Sequence, residues 1–354
     1  MSKPIKIMVV DDTITYRQIV SKVVQSIEGT EFCCSASSGR TALMKLEASQ
    51  PDLIFLDVLM PEMDGIETLI QVKAKYPHIA VVMVSGVDFE NAKVTLESLE
   101  AGALDFVAKP QTTGMAESMA QLKEAFEPII QLIRDQLYPP TKTLPVVQPP
   151  KAVQVVSTPQ GNQPFDLIVL GISTGGPNAL YSLFSLLKGK LPCPVLIVQH
   201  MPAMFTKSLA DRLDGISEMT IVEAAGGELA TPGTVYIAPG GKHMVVKKVG
   251  GTYALEVTDT PAVNHCKPSV DVLFDSVASL SANPLSVVMT GMGKDGTRGV
   301  ASLKQKGTYT LVQDQESSIV WGMPGSVYEA NLADEILSIE GIAKRVTELS
   351  HKNL

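Results

Sequence analysis

Short apolar runs followed by amphipathic helical patterns recur along most of this chain, and no other feature narrows its fold as much. In the first third the alternation occurs five times, with apolar runs of strand length at Ile5–Val10, Glu31–Ser35, Leu53–Asp57, Ala80–Ser85 and Asp105–Ala108. Between the first two runs, Tyr16, Ile19, Val20, Val23, Val24 and Ile27 fall at the three- and four-residue spacing of one helix face. Strands joined by helical crossovers run parallel, because the crossover returns the chain to the end of the sheet from which the strand began. The expected class is therefore α/β, a doubly wound parallel sheet with helices on both faces. In such sheets the functional side chains collect beyond the carboxyl ends of the strands.

Those ends carry chemistry in the first third. Asp11 and Asp12 follow the first strand, Asp57 ends the third, Ser85 ends the fourth and Lys109 follows the fifth. Three carboxylates at one edge repel one another unless a cation joins them, and an all-oxygen donor set with room for water suits Mg²⁺. Lys109 adds positive charge, and Ser85 offers a hydroxyl to an anionic group. A carboxylate beside Mg²⁺ and a lysine is placed to attack a phosphoryl donor and become an acyl phosphate. Solvated aspartates at loop starts would explain one such residue, not five at the correct strand ends.

The stretch Tyr138–Pro164 holds Pro139, Pro140, Pro145, Pro149, Pro150, Pro159 and Pro164 with a single glycine, which predicts an extended, semi-stiff spacer between domains. Pro128 is expected to kink the helix Met115–Leu137 that precedes it. A length of 354 residues accommodates about two domains on these terms. A net charge of −8, with Lys247-Lys248 an isolated basic pair, argues against a nucleic-acid partner, since phosphate contacts need clustered Lys and Arg. The apolar run near the N-terminus is too short for a signal peptide and no stretch approaches membrane-spanning length, so no membrane insertion and a cytoplasmic location are expected. Cys33, Cys34, Cys193 and Cys266 lack metal or disulfide spacing and are read as reduced structural residues.

In the second half, Asp166–Leu187 reads as a buried strand, a glycine-rich turn carrying Ser173, and an amphipathic helix. Gly171-Ile172-Ser173-Thr174-Gly175 fits the G-x-S-x-G pattern of a serine at a sharp strand-to-helix turn, and Pro177 suits the first helical turn. A phosphate-binding turn of a dinucleotide fold has the same outline, so the motif alone does not separate hydrolase from nucleotide site. Two further strands arbitrate. Val195–His200 ends at a histidine, and SVVMTGMGKDG runs out to Asp295; helical patterns at Asn178–Leu187, Thr206–Leu213 and Thr297–Lys306 follow the three strands. One edge then gathers a nucleophile, a general base and an orienting carboxylate.

Among the other histidines, His78 lies in the first domain, His351 in the tail, His243 opens a Gly-Gly hairpin, and His265 sits in a polar segment; His200 alone ends a strand-to-helix unit. Asp271 and Asp275 fall in a helical pattern, Val270–Leu280, where a solvated face is expected, whereas Asp314 ends the apolar run YTLVQ and competes with Asp295. The order Ser…His…Asp differs from that of α/β-hydrolases, which predicts a dinucleotide-type sheet bearing a triad of its own. The region after the glycines, LKGKLPCP, lacks the acid that would hold a cofactor ribose.

Residues 4–122 resemble a two-component receiver domain, carried by DD at 11–12, LDVLMPEMDG around Asp57, VSG at 84–86 and KP at 109–110. The resemblance implies a flavodoxin-like (βα)5 fold with Asp57 as phospho-acceptor. It implies Mg²⁺ held by Asp12, Asp57 and the Leu59 carbonyl, with Asp11 acting through water, and a switch made of Ser85, Phe106 and Lys109. GISTGG, QHMP, VYIAPGGKHM, KPSVDVLFDS, TGMGKDG and WGMP, in that order, resemble the catalytic domain of the chemotaxis protein-glutamate methylesterases. Ile172 stands where alanine is usual. This second resemblance implies a Rossmann-like catalytic domain with an added β-hairpin over 165–354, after a helical extension and proline-rich linker over 123–164. It implies Ser173, His200 and Asp295 as the triad, the Thr174 and Met292 amides as oxyanion donors, and no cofactor in the esterase site. Methylated chemoreceptors would be the substrate, losing methanol or, at glutamine, ammonia. A chemotaxis histidine kinase would be the phosphodonor, and the unphosphorylated receiver would cover the catalytic face. A receiver with a DNA-binding output would show a helix-turn-helix and a basic face, and neither is evident.

Overall fold

Strands of five or six residues with both faces apolar leave the chain one economical arrangement, a sheet covered by helices on both sides. A computed structural model describes residues 3–112, 114–138 and 164–351 and shows this arrangement twice. Contacts divide the chain into two units, residues 1–146 and 147–354. The expected proline-rich spacer lies almost wholly outside the described residues.

The first unit runs β1 (Ile5–Val10), α1 (Ile14–Ser26), β2 (Thr30–Ala36), α2 (Gly39–Ser49), β3 (Leu53–Asp57), α3 (Gly65–Lys75), β4 (Ala80–Ser85), α4 (Phe89–Glu100), β5 (Asp105–Ala108) and α5 (Met115–Leu137). Its five strands are all parallel in the order β2-β1-β3-β4-β5. Helices begin where short polar side chains satisfy free backbone donors: Ser38, Asp64 and Asp88 each accept from the amide three residues on. On one face of the sheet Ile7, Val9, Phe55 and Val82 pack against Val20, Val23 and Val24 of α1 and Phe126 and Ile130 of α5. Ile27, expected on the α1 face, is buried but lies just past the helix end, while Tyr16 is only partly buried. Helix α5 continues through Pro128 as far as Leu137.

The second unit runs β6 (Leu167–Ile172), α6 (Gly176–Leu186), β7 (Val195–Gln199), α7 (Phe205–Asp214), β8 (Thr220–Glu223), β9 (Thr234–Ile237), β10 (His243–Val249), β11 (Thr252–Thr258) and α8 (Val270–Ala278). It continues with β12 (Pro284–Val288), α9 (Thr297–Lys304), β13 (Tyr309–Gln313), α10 (Met323–Glu329), β14 (Glu335–Leu337) and α11 (Ile339–His351). Seven parallel strands lie in the order β14-β13-β12-β6-β7-β9-β8, and β10 and β11 form a separate antiparallel hairpin turned at Gly250-Gly251. Met244, Val246 and Leu255 of the hairpin join Leu273, Phe274 and Val277 of α8 in the core. The chain leaves β6 toward β7 on one side, while β12 pairs with its other side. A crevice opens at such a switch point, between the crossovers that depart in opposite directions. Strand β12 ends at Val288, so Asp295 stands on the loop before α9 and not at the strand end. No described helix is long and apolar enough to cross a membrane.

The aromatic pair Phe55 and Phe126, stacked with centroids 3.9 Å apart and both buried, joins β3 to α5. Phe126→Ala removes a fully buried ring and is expected to destabilise the first unit by about 3–5 kcal/mol. Calorimetry of its unfolding transition checks this. A shift worth under about 1 kcal/mol would mean that α5 contributes little to holding the sheet.

Candidate functional site

In the first unit the carboxyl ends of β1, β3 and β5 converge on one cation. Lys109 Nζ donates to Asp11 Oδ2 at 2.9 Å and to Asp57 Oδ2 at 2.7 Å, and it lies 4.5 Å from the centre of the Tyr16 ring. Burial pushes the Asp57 carboxyl up; Lys109 pulls it down and the neighbouring Asp11 pushes it up again, leaving it at about 6. Burial pulls the Lys109 ammonium down, but Asp57 and Asp11 outweigh that and hold it above its ordinary value. Burial, then the negative charge of Asp11 and Asp57, raises the Tyr16 hydroxyl well above its ordinary range.

Oxygens of Asp11, Asp12 and Asp57 all lie within 4.8 Å of one another, with Asp12 exposed. One ammonium facing three carboxylates leaves negative charge uncompensated, and an oxygen-only donor set open to water on the Asp12 side fits a hard divalent cation such as Mg²⁺. Leu59 lies in the loop after β3 and is exposed. Ser85 is fully buried; its hydroxyl donates to Gly86 O at 3.2 Å and accepts from Thr95 Oγ1 at 2.7 Å, so it is engaged with α4 and makes no hydrogen bond to Asp57 among the described residues. Phe106 is half-buried on β5.

In the second unit, β6 delivers Ser173 and β7 delivers His200, while the loop after β12, which pairs with β6 on the other side, carries Asp295. The turn after β6 closes through Gly176 N to Ser173 O at 2.7 Å, with Gly175 in the left-handed region at φ +75°. The loop after β12 approaches so closely that a Cβ on Gly291 would meet Ser173 Cβ at 2.7 Å, so only glycine fits there. Gln199, buried behind the turn, donates from Nε2 to Ser173 O at 3.0 Å and His200 O at 3.3 Å, tying together the backbones that carry Ser173 and His200. The amides of Thr174 and Met292 make no hydrogen bond among the described residues.

His200 Nε2 donates to Asp295 Oδ2 at 2.9 Å. Asp295 is buried and richly supplied with donors: Val270 N at 2.7 Å on Oδ2, and Ser269 Oγ at 2.9 Å and Asn264 Nδ2 at 3.0 Å on Oδ1. It therefore stands at the N-terminus of α8, where a negative charge is favoured. Burial alone would raise Asp295, but His200, Asn264 and Val270 outweigh it and hold the carboxyl at about 2. Burial likewise lowers His200, yet its bonds to Asp295 and then Cys266 raise it to about 9. The remaining ring nitrogen, Nδ1, lies 3.6 Å from Cys266 Sγ, and Ser173 Oγ makes no hydrogen bond among the described residues.

Several expectations are corrected. Asp271 is not on a solvated face; it is 2% exposed, accepts from Gly296 N at 3.0 Å and Gly299 N at 2.8 Å, and shares the Asn264 amide with Asp295. It pins both ends of the turn into α9 and thereby the loop holding Asp295. Asp314 accepts from Ser317 N and Oγ, capping its own turn, and makes no bond to His200. Asp275 binds Ser302 Oγ and Arg298. His243 is fully buried between Pro261 O and Ser269 N. All four cysteines are free thiols, but Cys266 is no core filler, since it touches the imidazole. Gln199 and Ser269 lie inside the motifs QHMP and KPSVDVLFDS but have no role assigned there from sequence, while Asn264 and Cys266 carry no signal beyond flanking His265.

A family model described as CheB methylesterase matches residues 168–346, and one described as response regulator receiver domain matches residues 7–121. The chain is 38% identical to a protein-glutamate methylesterase/protein-glutamine glutaminase of Desulfotalea psychrophila, covering 97% of this chain and 98% of the relative. It is 40% identical to a protein of the same name from Halalkalibacterium halodurans, covering 98% of each. The second unit is similar to the crystal structure of the CheB methylesterase catalytic domain of Thermotoga maritima, at 40% identity and a TM-score of 0.51, covering 53% of this chain and 100% of that one.

The two shifted groups set a pH window. His200 is raised from 6.5, so its contribution to stability is complete below pH 6.5 and is lost as pH rises through about 9. Asp295 is lowered from 3.8, so its contribution is present above pH 3.8 and is lost as pH falls through about 2. NMR titration of the His200 ring is expected to show a midpoint near 9 in the native chain and a lower one in Asp295→Asn. Equal midpoints in both would mean that Asp295 does not hold the imidazolium.

Proposed function

The chain belongs to the CheB family of protein-glutamate methylesterases/protein-glutamine glutaminases, with a response regulator receiver ahead of the catalytic domain, and from that premise we propose that Ser173, His200 and Asp295 carry out its hydrolysis. It is a carboxylic ester hydrolase of two-component signalling. The substrates on this reading are the γ-methyl esters of chemoreceptor glutamates and certain receptor glutamines. The supporting observation is the His200–Asp295 bond of 2.9 Å, together with the Gln199 tether between the backbones of Ser173 and His200.

Ser173 Oγ attacks the ester carbonyl carbon while His200 Nδ1 takes the hydroxyl proton. Asp295, bonded to Nε2–H, fixes the tautomer and stabilises the imidazolium. The developing oxyanion lies between the amides of Thr174 and Met292, beside the positive end of α6. As the tetrahedral adduct collapses, His200 returns the proton to the methoxy oxygen and methanol leaves; from a glutamine side chain the leaving group is ammonia. Water, deprotonated by His200, then attacks the acyl-enzyme and frees the glutamate and Ser173. Since the base must be neutral, turnover is expected to rise with pH across the neutral range toward about 9.

Control resides in the receiver, residues 4–122, which the extension and linker over 123–164 join to the catalytic domain, 165–354. An Asp57 carboxylate oxygen attacks the phosphorus of a phosphohistidine on a chemotaxis histidine kinase, forming an acyl phosphate as the P–N bond breaks and the kinase imidazole leaves. Asp12, Asp57 and the Leu59 carbonyl, with Asp11 acting through water, would hold Mg²⁺, which would supply positive charge to the phosphoryl oxygens. Lys109 exchanges a carboxylate for the new phosphoryl oxygens, Ser85 leaves Thr95 to bond them, and Phe106 follows on β5. The enzyme works in the cytoplasm on this reading.

The test is methanol release from methylated receptor membranes, with and without a small phosphodonor and Mg²⁺. Ser173→Ala and Asp295→Ala are expected to lower the rate by roughly 10⁴-fold or more, and Asp314→Ala to leave it near the native rate. Asp57→Asn should remove the stimulation by phosphodonor. Native rates in Asp295→Ala with a large loss in Asp314→Ala would transfer the orienting role to Asp314.

A further inference from the structure

One group in the catalytic pocket has no part in the hydrolysis. Cys266 lies in the segment between β11 and α8, half-buried, with Sγ 3.6 Å from His200 Nδ1 and 3.4 Å from Asn264 O. The opposite ring nitrogen, Nε2, is bonded to Asp295, and one ligand atom from each of His200, Cys266 and Asp295 falls within 4.8 Å of the others. We propose that Cys266 Sγ and His200 Nδ1 form a thiolate–imidazole site for a soft divalent cation, Zn²⁺, and that its binding there turns the esterase off.

The spacing matches a metal site. Zinc takes sulfur at about 2.3 Å and imidazole nitrogen at about 2.0–2.1 Å with tetrahedral angles, which places the two donor atoms about 3.6 Å apart. Imidazoles that bind metals through one nitrogen regularly donate the other N–H to a carboxylate, which fixes the ring and raises its basicity. Asp295 already fills that outer role. Its oxygens are occupied by Ser269 Oγ, Val270 N and Asn264 Nδ2 as well as His200, so it has no need to become a ligand itself. Water would complete the coordination from the side on which His200 and Cys266 keep partial exposure. Binding sends the thiol proton, and any proton on Nδ1, to solvent.

The functional consequence rests on the reading of His200 as the general base. Nδ1 is the nitrogen that must accept the Ser173 proton, and a metal on its lone pair removes that capacity. Donor chemistry keeps the two cations of the chain apart. Sulfur and imidazole select zinc over magnesium, whereas the carboxylates of Asp11, Asp12 and Asp57 suit magnesium. One metal would support activation through the receiver and the other would silence the catalytic pocket.

The test uses the full chain in excess Mg²⁺, so that the receiver carboxylates are filled, with Co²⁺ as a spectroscopic substitute for Zn²⁺. A thiolate-to-cobalt charge-transfer band is expected in the native chain and in a Cys33→Ser, Cys34→Ser variant, to disappear on adding Zn²⁺, and to be missing in Cys266→Ser. Asp295→Asn should weaken Co²⁺ binding roughly 10–100-fold. Zn²⁺ should inhibit methanol release reversibly, with chelator restoring it. Cys266→Ser, scored against its own metal-free rate, should need at least about tenfold more Zn²⁺ for the same inhibition. A band that survives Cys266→Ser, or equal Zn²⁺ sensitivity in both proteins, would overturn the proposal. The absorption readout does not require turnover, so it still reports on the metal site if the esterase reading fails.

Discussion

A carboxylate buried at the edge of a parallel sheet keeps its charge only if cations or hydrogen-bond donors replace the water it has lost. Both halves of this chain are organised around that requirement, and they meet it differently. Asp57 has Lys109 at 2.7 Å and Asp11 as an unfavourable neighbour, and it stays well above the ordinary carboxylate range. Asp295 receives donors from His200, Val270, Ser269 and Asn264 and is held at about 2. The contrast fits the two roles assigned here. A carboxylate that must form a bond to phosphorus has to keep a reactive lone pair, whereas one that only orients an imidazole is better the more completely its oxygens are occupied.

Sheet order then decides which side chains meet. In the first unit β1 and β4 both pair with β3, and the ends of β1, β3 and β5 share the lysine. In the second, β6 lies between β12 and β7, so the serine turn has the histidine on one side and the aspartate loop on the other. The close passage of Gly291 by Ser173 and the two hydrogen bonds from Gln199 Nε2 to the carbonyls of Ser173 and His200 convert that adjacency into fixed positions. Positioning of this kind is where much of catalytic power originates, because each ångström of misplacement weakens proton transfer.

Much of this was legible in the sequence. The bounds of β1, β3 and β4 coincide with apolar runs because strands buried on both faces show little polar alternation to blur them, and those of β5 coincide too although this edge strand is only partly buried. Ser173 and His200 could be found because each directly follows such a strand. The outer strands β8, β9 and β14, of three or four residues, are too short to show periodicity. Asp271 was misread because its burial comes from the loop of α9 folding over it, a tertiary event that helical spacing cannot register. Asn264 was invisible for a related reason. It lies in a polar stretch, yet with its neighbour His265 it adopts positive φ, +53° and +61°, and its amide turns inward onto two carboxylates.

That stretch changes how the catalytic pocket is to be understood. Ser173 and His200 are carried on the ends of strands, whose positions the sheet determines. Asp295 is on a loop, and its place depends on Asp271 binding both ends of the α9 turn and on Asn264 joining the two carboxylates. The segment that supplies Asn264 also supplies Cys266, two residues on, against the other face of the imidazole. The base is thus gripped on both ring nitrogens by elements outside the strands. A shift of this one segment would alter the surroundings of Asp295 and the thiol beside His200 Nδ1 together, so the setting of the proposed base is concentrated in a part of the fold on which the Ser173 turn does not depend.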